Sequence, residues 1–192
     1  MKVTRSISTT IEAEQFELGD VISFRLTTGE DVKAKAVLET PEGMLFMTVD
    51  CLKDKRKMMA GKQAFSYTSS DLRKKLNTEI LDTFPEEIKR RMVGMRVGQT
   101  NCFDMLRIPT EREILGKNVY DNWPKFVIVR QFYGMENCRE RIALGAVGFT
   151  KYWLANRVDE TGFCFVVIDT DGNANSRNCF GFFGVRPVFL LA

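Results

Sequence analysis

The amino-acid sequence predicts an α+β protein, and three observations carry that prediction. A period-two apolar pattern fills residues 32–39, apolar residues recur at helical spacing between 70 and 82, and Asp171-Gly172 joins two strand-like runs near the far end. Helices grouped between two β regions fit segregated helix and sheet, not alternating βαβ units.

Residues 1–50 read as a small β-meander. Its runs at 21–27, 32–39 and 44–50 are separated by TTGED and ETPEGM, whose Gly, Pro and acids are turn chemistry. In the middle run Val32, Ala34, Ala36 and Leu38 alternate with Lys33, Lys35, Val37 and Glu39, the signature of a half-buried strand. CLKDKRKMMAGKQ, residues 51–63, is charged and aperiodic and is expected to be an exposed loop.

Residues 70–82 are expected to be a helix. Ser70 suits the N-cap, Asp71 follows where the helix dipole favours an acid, and Leu72, Leu76 and Ile80 make one apolar stripe. FPEEIKRRM predicts a second helix, with Pro85 at its first position, acids early, Lys89, Arg90 and Arg91 late, and Gly94 as a stop. In FDMLRIPTEREILG a strand precedes a short helix, with Thr110 and Glu113 at capping-box spacing and Gly116 as its end. Residues 117–149 are Gly-rich and irregular, which predicts long loops and at most one strand. The final β region comprises 152–154, 163–168, a turn at Asp171-Gly172, a short piece near 178–181 and a last strand at 184–190.

Composition narrows the function classes. The net charge of +3 is small, so no nucleic-acid partner is expected. MKVTRSISTT has no apolar run of signal-peptide type, and no stretch reaches the length of a membrane span. The expectation is a cytoplasmic or virion-associated protein without membrane insertion. The chain has no histidine, which excludes Ser-His and Cys-His nucleophile pairs and His-ligated metals. Cys51, Cys102, Cys138, Cys164 and Cys179 form no CxxC pair and read as reduced, mostly buried thiols. DTDGNANSRN at 169–178 has Ala174 where a calcium loop needs its turn glycine and Phe180 where it needs Glu, so no metal or other cofactor is expected.

The candidate ligand face is the segment 156–183. Phe163, Phe165, Phe180, Phe182 and Phe183 stand among polar residues, and the opposite parity of Phe182 and Phe183 predicts that at least one points outward. Exposed rings beside Asn156, Arg157, Asp159, Asn173, Asn175, Arg177 and Asn178 would combine large contact area with adaptable hydrogen bonds.

Five pieces occur in order: SSDLRKKLNTEIL, FPEEIKRRM, MLRIPTEREILG, YWLAN and TDGNANS…GVRPVFLL. Together, over residues 66–192, they resemble bacterial and phage domains with a C-type-lectin-like fold, related to the formylglycine-generating-enzyme architecture. Some members of that group are variable proteins of diversity-generating retroelements, in which adenine mutation turns asparagine codons into many others on a ligand face. The variable region there ends before a sequence like GVRPV, which stands here at 184–188. Between Ala155 and Gly184 there is no Lys, Gln, Met or Trp, as that mechanism implies; Glu160 departs from the pattern. The resemblance implies a non-catalytic protein that binds a protein or glycan ligand, possible on a cell surface, with an N-terminal meander at 1–50. The alternative it leaves open is an enzyme of the formylglycine-generating type, with Cys164 and Cys179 as its thiols, although they do not sit in that family's active-site motif. Glu111 and Glu113 do not make an acid/base pair, because residues two apart on a helix do not share a face.

Overall fold

The computed structural model describes residues 2–4, 10–11, 16–61, 66–96, 103–120, 130–158 and 163–192. Cys102 and Asp159 lie outside the described residues, as do Glu160 and the segment 121–129. The architecture is α+β, mostly antiparallel sheet with a few short helices.

The main sheet is built from β1 (Lys2–Thr4), β2 (Thr10–Ile11), β3 (Val21–Arg25), β4 (Asp31–Thr40) and β5 (Gly43–Thr48). The alternation in β4 is real: Val32, Ala34 and Ala36 are buried while Asp31 and Lys33 are exposed. A bulge between Ala36 and Leu38 then turns Val37 into the opposite cluster, where its carbonyl accepts the Tyr133 N–H at 2.8 Å.

The predicted helix at 70–82 forms as one irregular helical run. α1 (Asp71–Lys75) continues into a π-turn at Leu76–Ile80 and a 3-10 turn at Leu81–Thr83. Ser70 caps it, its hydroxyl accepting the Arg73 N–H at 3.1 Å, and Leu72, Leu76 and Ile80 are buried. Asn77, inside the π-turn, fixes the neighbouring chain. Its amide donates to the Arg73 and Leu106 carbonyls, and its Oδ1 accepts the Met105 and Leu106 N–H groups. α2 (Glu86–Lys89) is shorter than expected, with Pro85 at the cap and not inside the first turn. The chain then enters strands β6 (Met92–Val93), β7 (Met95–Arg96) and β8 (Phe103–Asp104).

α3 (Glu111–Leu115) carries the full capping box between Thr110 and Glu113 and ends at Gly116 in the left-handed region. Arg107 grips Glu113 with two hydrogen bonds of 2.8 and 2.6 Å, and both are nearly buried. Burial works against the Arg107 charge, but Glu113 outweighs it and raises the guanidinium above its ordinary value. The region expected to hold long loops contains α4 (Cys138–Arg141) and a hairpin of β9 (Ala143–Gly145) and β10 (Gly148–Thr150).

A second, three-stranded sheet orders β11 (Tyr152–Arg157), β12 (Cys164–Ile168) and β13 (Ala174–Asn178). β13 occupies 174–178, where sequence placed a short piece near 178–181. The last strand, β14 (Val188–Leu191), starts later than the expected 184 and lies between β5 and β6 in the main sheet. The meander and the terminal strand therefore share one sheet. They also share a core: Phe46 and Phe189 face each other across β5 and β14 with ring centroids 5.9 Å apart, and Phe84 meets Phe189 edge-on.

The small sheet contributes to both hydrophobic clusters. Trp153, Phe165 and Val167 join Leu72 and Leu76; Tyr152, Leu154, Val166 and Ile168 join Ile114, Phe132 and Val188. Both of its faces are thus covered over β11 and β12, and β13 is left as its edge.

Candidate functional site

The terminal segment is bound to the rest of the molecule by residues 52–59. Leu52 N–H donates to the Val185 carbonyl, Arg56 and Phe183 exchange two backbone hydrogen bonds, and Met59 N–H donates to Cys179 O. The stretch expected to be an exposed loop is therefore a strap. Cys51, Leu52, Met58 and Met59 are buried, while Lys53, Asp54 and Lys55 stay exposed. The physical reason is pairing: this strap completes the backbone hydrogen bonds of 179–185, and its Met residues enter the same core as Trp153. Trp153 Nε1 also donates to the Arg56 carbonyl at 2.8 Å.

GVRPV forms the frame. Gly184 is pressed between strap and sheet: a Cβ there would sit 2.5 Å from Cys51 Sγ and 3.1 Å from the Lys151 carbonyl. Arg186 is 2% exposed; its Nε donates to the Thr48 carbonyl at 3.0 Å and one Nη to the Tyr152 hydroxyl at 3.1 Å. Its guanidinium also lies over the Tyr152 ring, 4.9 Å from the centroid. No carboxylate among the described residues pairs with it. Burial pushes the Cys51 thiol up to about 12 against the pull of Arg186.

The predicted face residues separate into three groups. Phe165 is fully buried in the cluster that holds Trp153 and Leu76, although its register partner across to β13 is Arg177. Asn156 is also drawn inward. β11 breaks register with β12 between Trp153 and Arg157, so that Ala155 N–H reaches the Pro109 carbonyl and Asn156 Oδ1 accepts the Glu111 N–H at 2.7 Å. Phe180 is half-buried against the core, and Phe183 meets Trp153 edge-on at 4.8 Å.

A second group forms a self-contained network around Asp169. Its Oδ2 accepts Lys151 Nζ at 3.0 Å, Asn175 Nδ2 at 3.1 Å and Arg177 at 3.3 Å. Burial opposes ionisation there, but the Thr170 N–H, Lys151 and Asn175 outweigh it and hold the carboxyl down at about 2. Asn175 and Arg177 also cover the edge of β13. The ladder alternates, with Cys179 N–H on Phe163 O and Asp169 N–H on Asn173 O, so Ser176 turns its own backbone groups outward. Asn175 Oδ1 accepts the Ser176 N–H at 2.8 Å, and Arg177 donates to the Ser176 carbonyl at 2.7 Å. Asn173 is held in the turn by Asp171, whose Oδ1 accepts its N–H at 3.0 Å. Gly172 there has φ of +80°, and a Cβ would strike the Cys138 carbonyl.

The third group faces outward. Phe182 is 61% exposed and Phe163 44%. Asn178 is exposed, and Arg157 is half-buried. The parity argument for Phe182 and Phe183 holds, with Phe182 outward. Phe163 precedes the first residue of β12, which frees its ring from the buried side taken by Phe165. Lys57, which sequence reasoning did not single out, places its Nζ 4.8 Å from the centre of the Phe182 ring. No local signal marks Lys57; the strap pairing alone brings it there.

Among the described residues the arrangement offers aromatic surface, amides and cations. Among the described residues no group of Cys, Asp and Glu is placed to hold a metal ion. Cys179 is buried and its thiol is raised by that burial, which makes it a poor nucleophile. No helix among the described residues is long and apolar enough to cross a membrane. Comparison with protein-family models, curated proteins and solved structures gives no match to this chain.

Proposed function

We propose that the chain is a non-catalytic binding protein of C-type-lectin-like type, which presents residues 163–183 as a ligand face on a constant GVRPV frame. The observation that carries this reading is the pair of outward rings, Phe163 and Phe182, beside the exposed Asn178. Aromatic rings held on a rigid scaffold lose little entropy on binding. In this reading the protein is a retroelement-diversified variable protein of a phage or prophage, and its ligand is a protein or glycan on a cell surface.

The support for diversification lies in how the segment is bonded. Beyond the core residues of β12 and the ring of Phe183, its hydrogen bonds to the strap run through backbone groups, at Cys179 and Phe183. Backbone pairing tolerates many side chains, so several positions can change without loss of the frame.

Two experiments test the reading. Sequencing around the gene should find a near-copy of the DNA encoding 152–192 beside a reverse-transcriptase gene, differing at template adenines; its absence removes diversification. Replacing Phe163, Asn178 and Phe182 together by Ser should abolish retention on host cell surfaces, with the thermal midpoint unchanged. Undiminished retention would move the binding face elsewhere.

A further inference from the structure

The strap 52–59 changes the chemistry of the proposed face. Four of its residues are basic (Lys53, Lys55, Arg56 and Lys57) and one is acidic, Asp54. It runs antiparallel to 182–184, so Lys57 lies over Phe182 and Lys55 follows on the exposed side. None of the three lysines has a carboxylate within ion-pair distance among the described residues. Arg56 differs: Asp54 holds it at 3.2 Å and Glu79 at 3.8 Å.

We propose that this face takes an acidic protein segment, whose carboxylates meet Lys55 and Lys57 while an apolar side chain packs on Phe182. The proposal rests on the ligand-face reading and adds the charge of the partner. An apolar centre with a charged rim is the ordinary anatomy of a protein interface. Single-stranded nucleic acid fits less well. The strap's one guanidinium, the group best suited to gripping phosphate, already has its Nη groups on Asp54 at 3.2 Å and Glu79 at 3.8 Å. A neutral glycan would leave the lysines without partners.

The full-length chain, labelled, is applied to an array of random dodecapeptides, with an oligothymidylate strand as control. Bound peptides should be enriched in Asp and Glu over the library, and binding should weaken as salt rises from about 50 to about 300 mM. Lys55→Ser with Lys57→Ser should weaken binding about three- to tenfold and remove the acidic bias. Lys55→Glu with Lys57→Glu should turn the bias toward basic peptides, a gain that unfolding cannot imitate. If Phe182→Ser abolishes capture but the bound peptides show no acidic excess, the face stands and the acidic partner is overturned. Preferential capture of oligothymidylate also overturns it. If the wild-type chain captures no peptide, or the Phe182 and lysine variants capture as well as wild type, the face and the acidic partner fall together.

Discussion

Residues 169–183 and 184–188 adjoin in the chain and are held in opposite ways. In the first stretch side-chain hydrogen bonds are mostly local: Asn173 with Asp171, Asn175 and Arg177 with Asp169 and Ser176. In the second, the contacts are distant. Arg186 reaches Thr48, 138 residues away, and Gly184 packs on Cys51. Local bonding lets a segment alter one side chain at a time. Distant bonding makes each residue a condition of the whole fold, so the boundary at Gly184 separates surface chemistry from scaffold.

Mutation can break this contrast or sharpen it. The largest effect belongs to the one face residue that is core: Phe165→Ala should destabilise by about 3–5 kcal/mol in denaturant unfolding. A change below 1 kcal/mol would mean that β12 does not pack as described. Gly184→Ala should cost about 1–3 kcal/mol, because the new methyl meets Cys51 and the Lys151 carbonyl. The Asp169 network should appear as a pH dependence. Its carboxyl is lowered from 3.8 to about 2 in the fold. The stabilisation is therefore complete above the unfolded value and lost as pH falls from about 4 to about 2, on the order of 1–2 kcal/mol. Asp169→Asn should flatten that acid limb of a stability-versus-pH curve; an unchanged limb would assign it to other carboxylates. Phe182→Ser and Asn178→Ser should each stay within about 0.5 kcal/mol of wild type by thermal unfolding. A large loss would place them in the core.

What could be read from sequence was what neighbours decide. Ser70, the Thr110–Glu113 box, Gly116 and the Asp171-Gly172 turn all act within a few residues, and all occur as expected. The alternation of β4 was legible because one face is buried. The strap was not, since its partners lie more than a hundred residues away and its charges mask its buried ends. In the face, parity separated Phe182 from Phe183. It did not show that Phe165 is core, because a polar neighbour such as Arg177 can share a buried side when it has a carboxylate of its own. Nor did sequence reveal that Asn175 and Arg177 cover the edge of β13, since that depends on which strand is left outermost.

The position of β14 has a kinetic consequence. It sits between β5 and β6, and Val188 pairs with Met47, about 140 residues earlier in the chain. Until that strand arrives, β5 and β6 each present an open edge, and the ring of Phe46 lacks its stacking partner Phe189. A closure of such long sequence separation is slow relative to local hairpins. During synthesis the free side of β5 stays unsealed until residues 188–191, which follow the proposed ligand face, are made. The main sheet is thus closed by a strand made after the exposed segment, not before it.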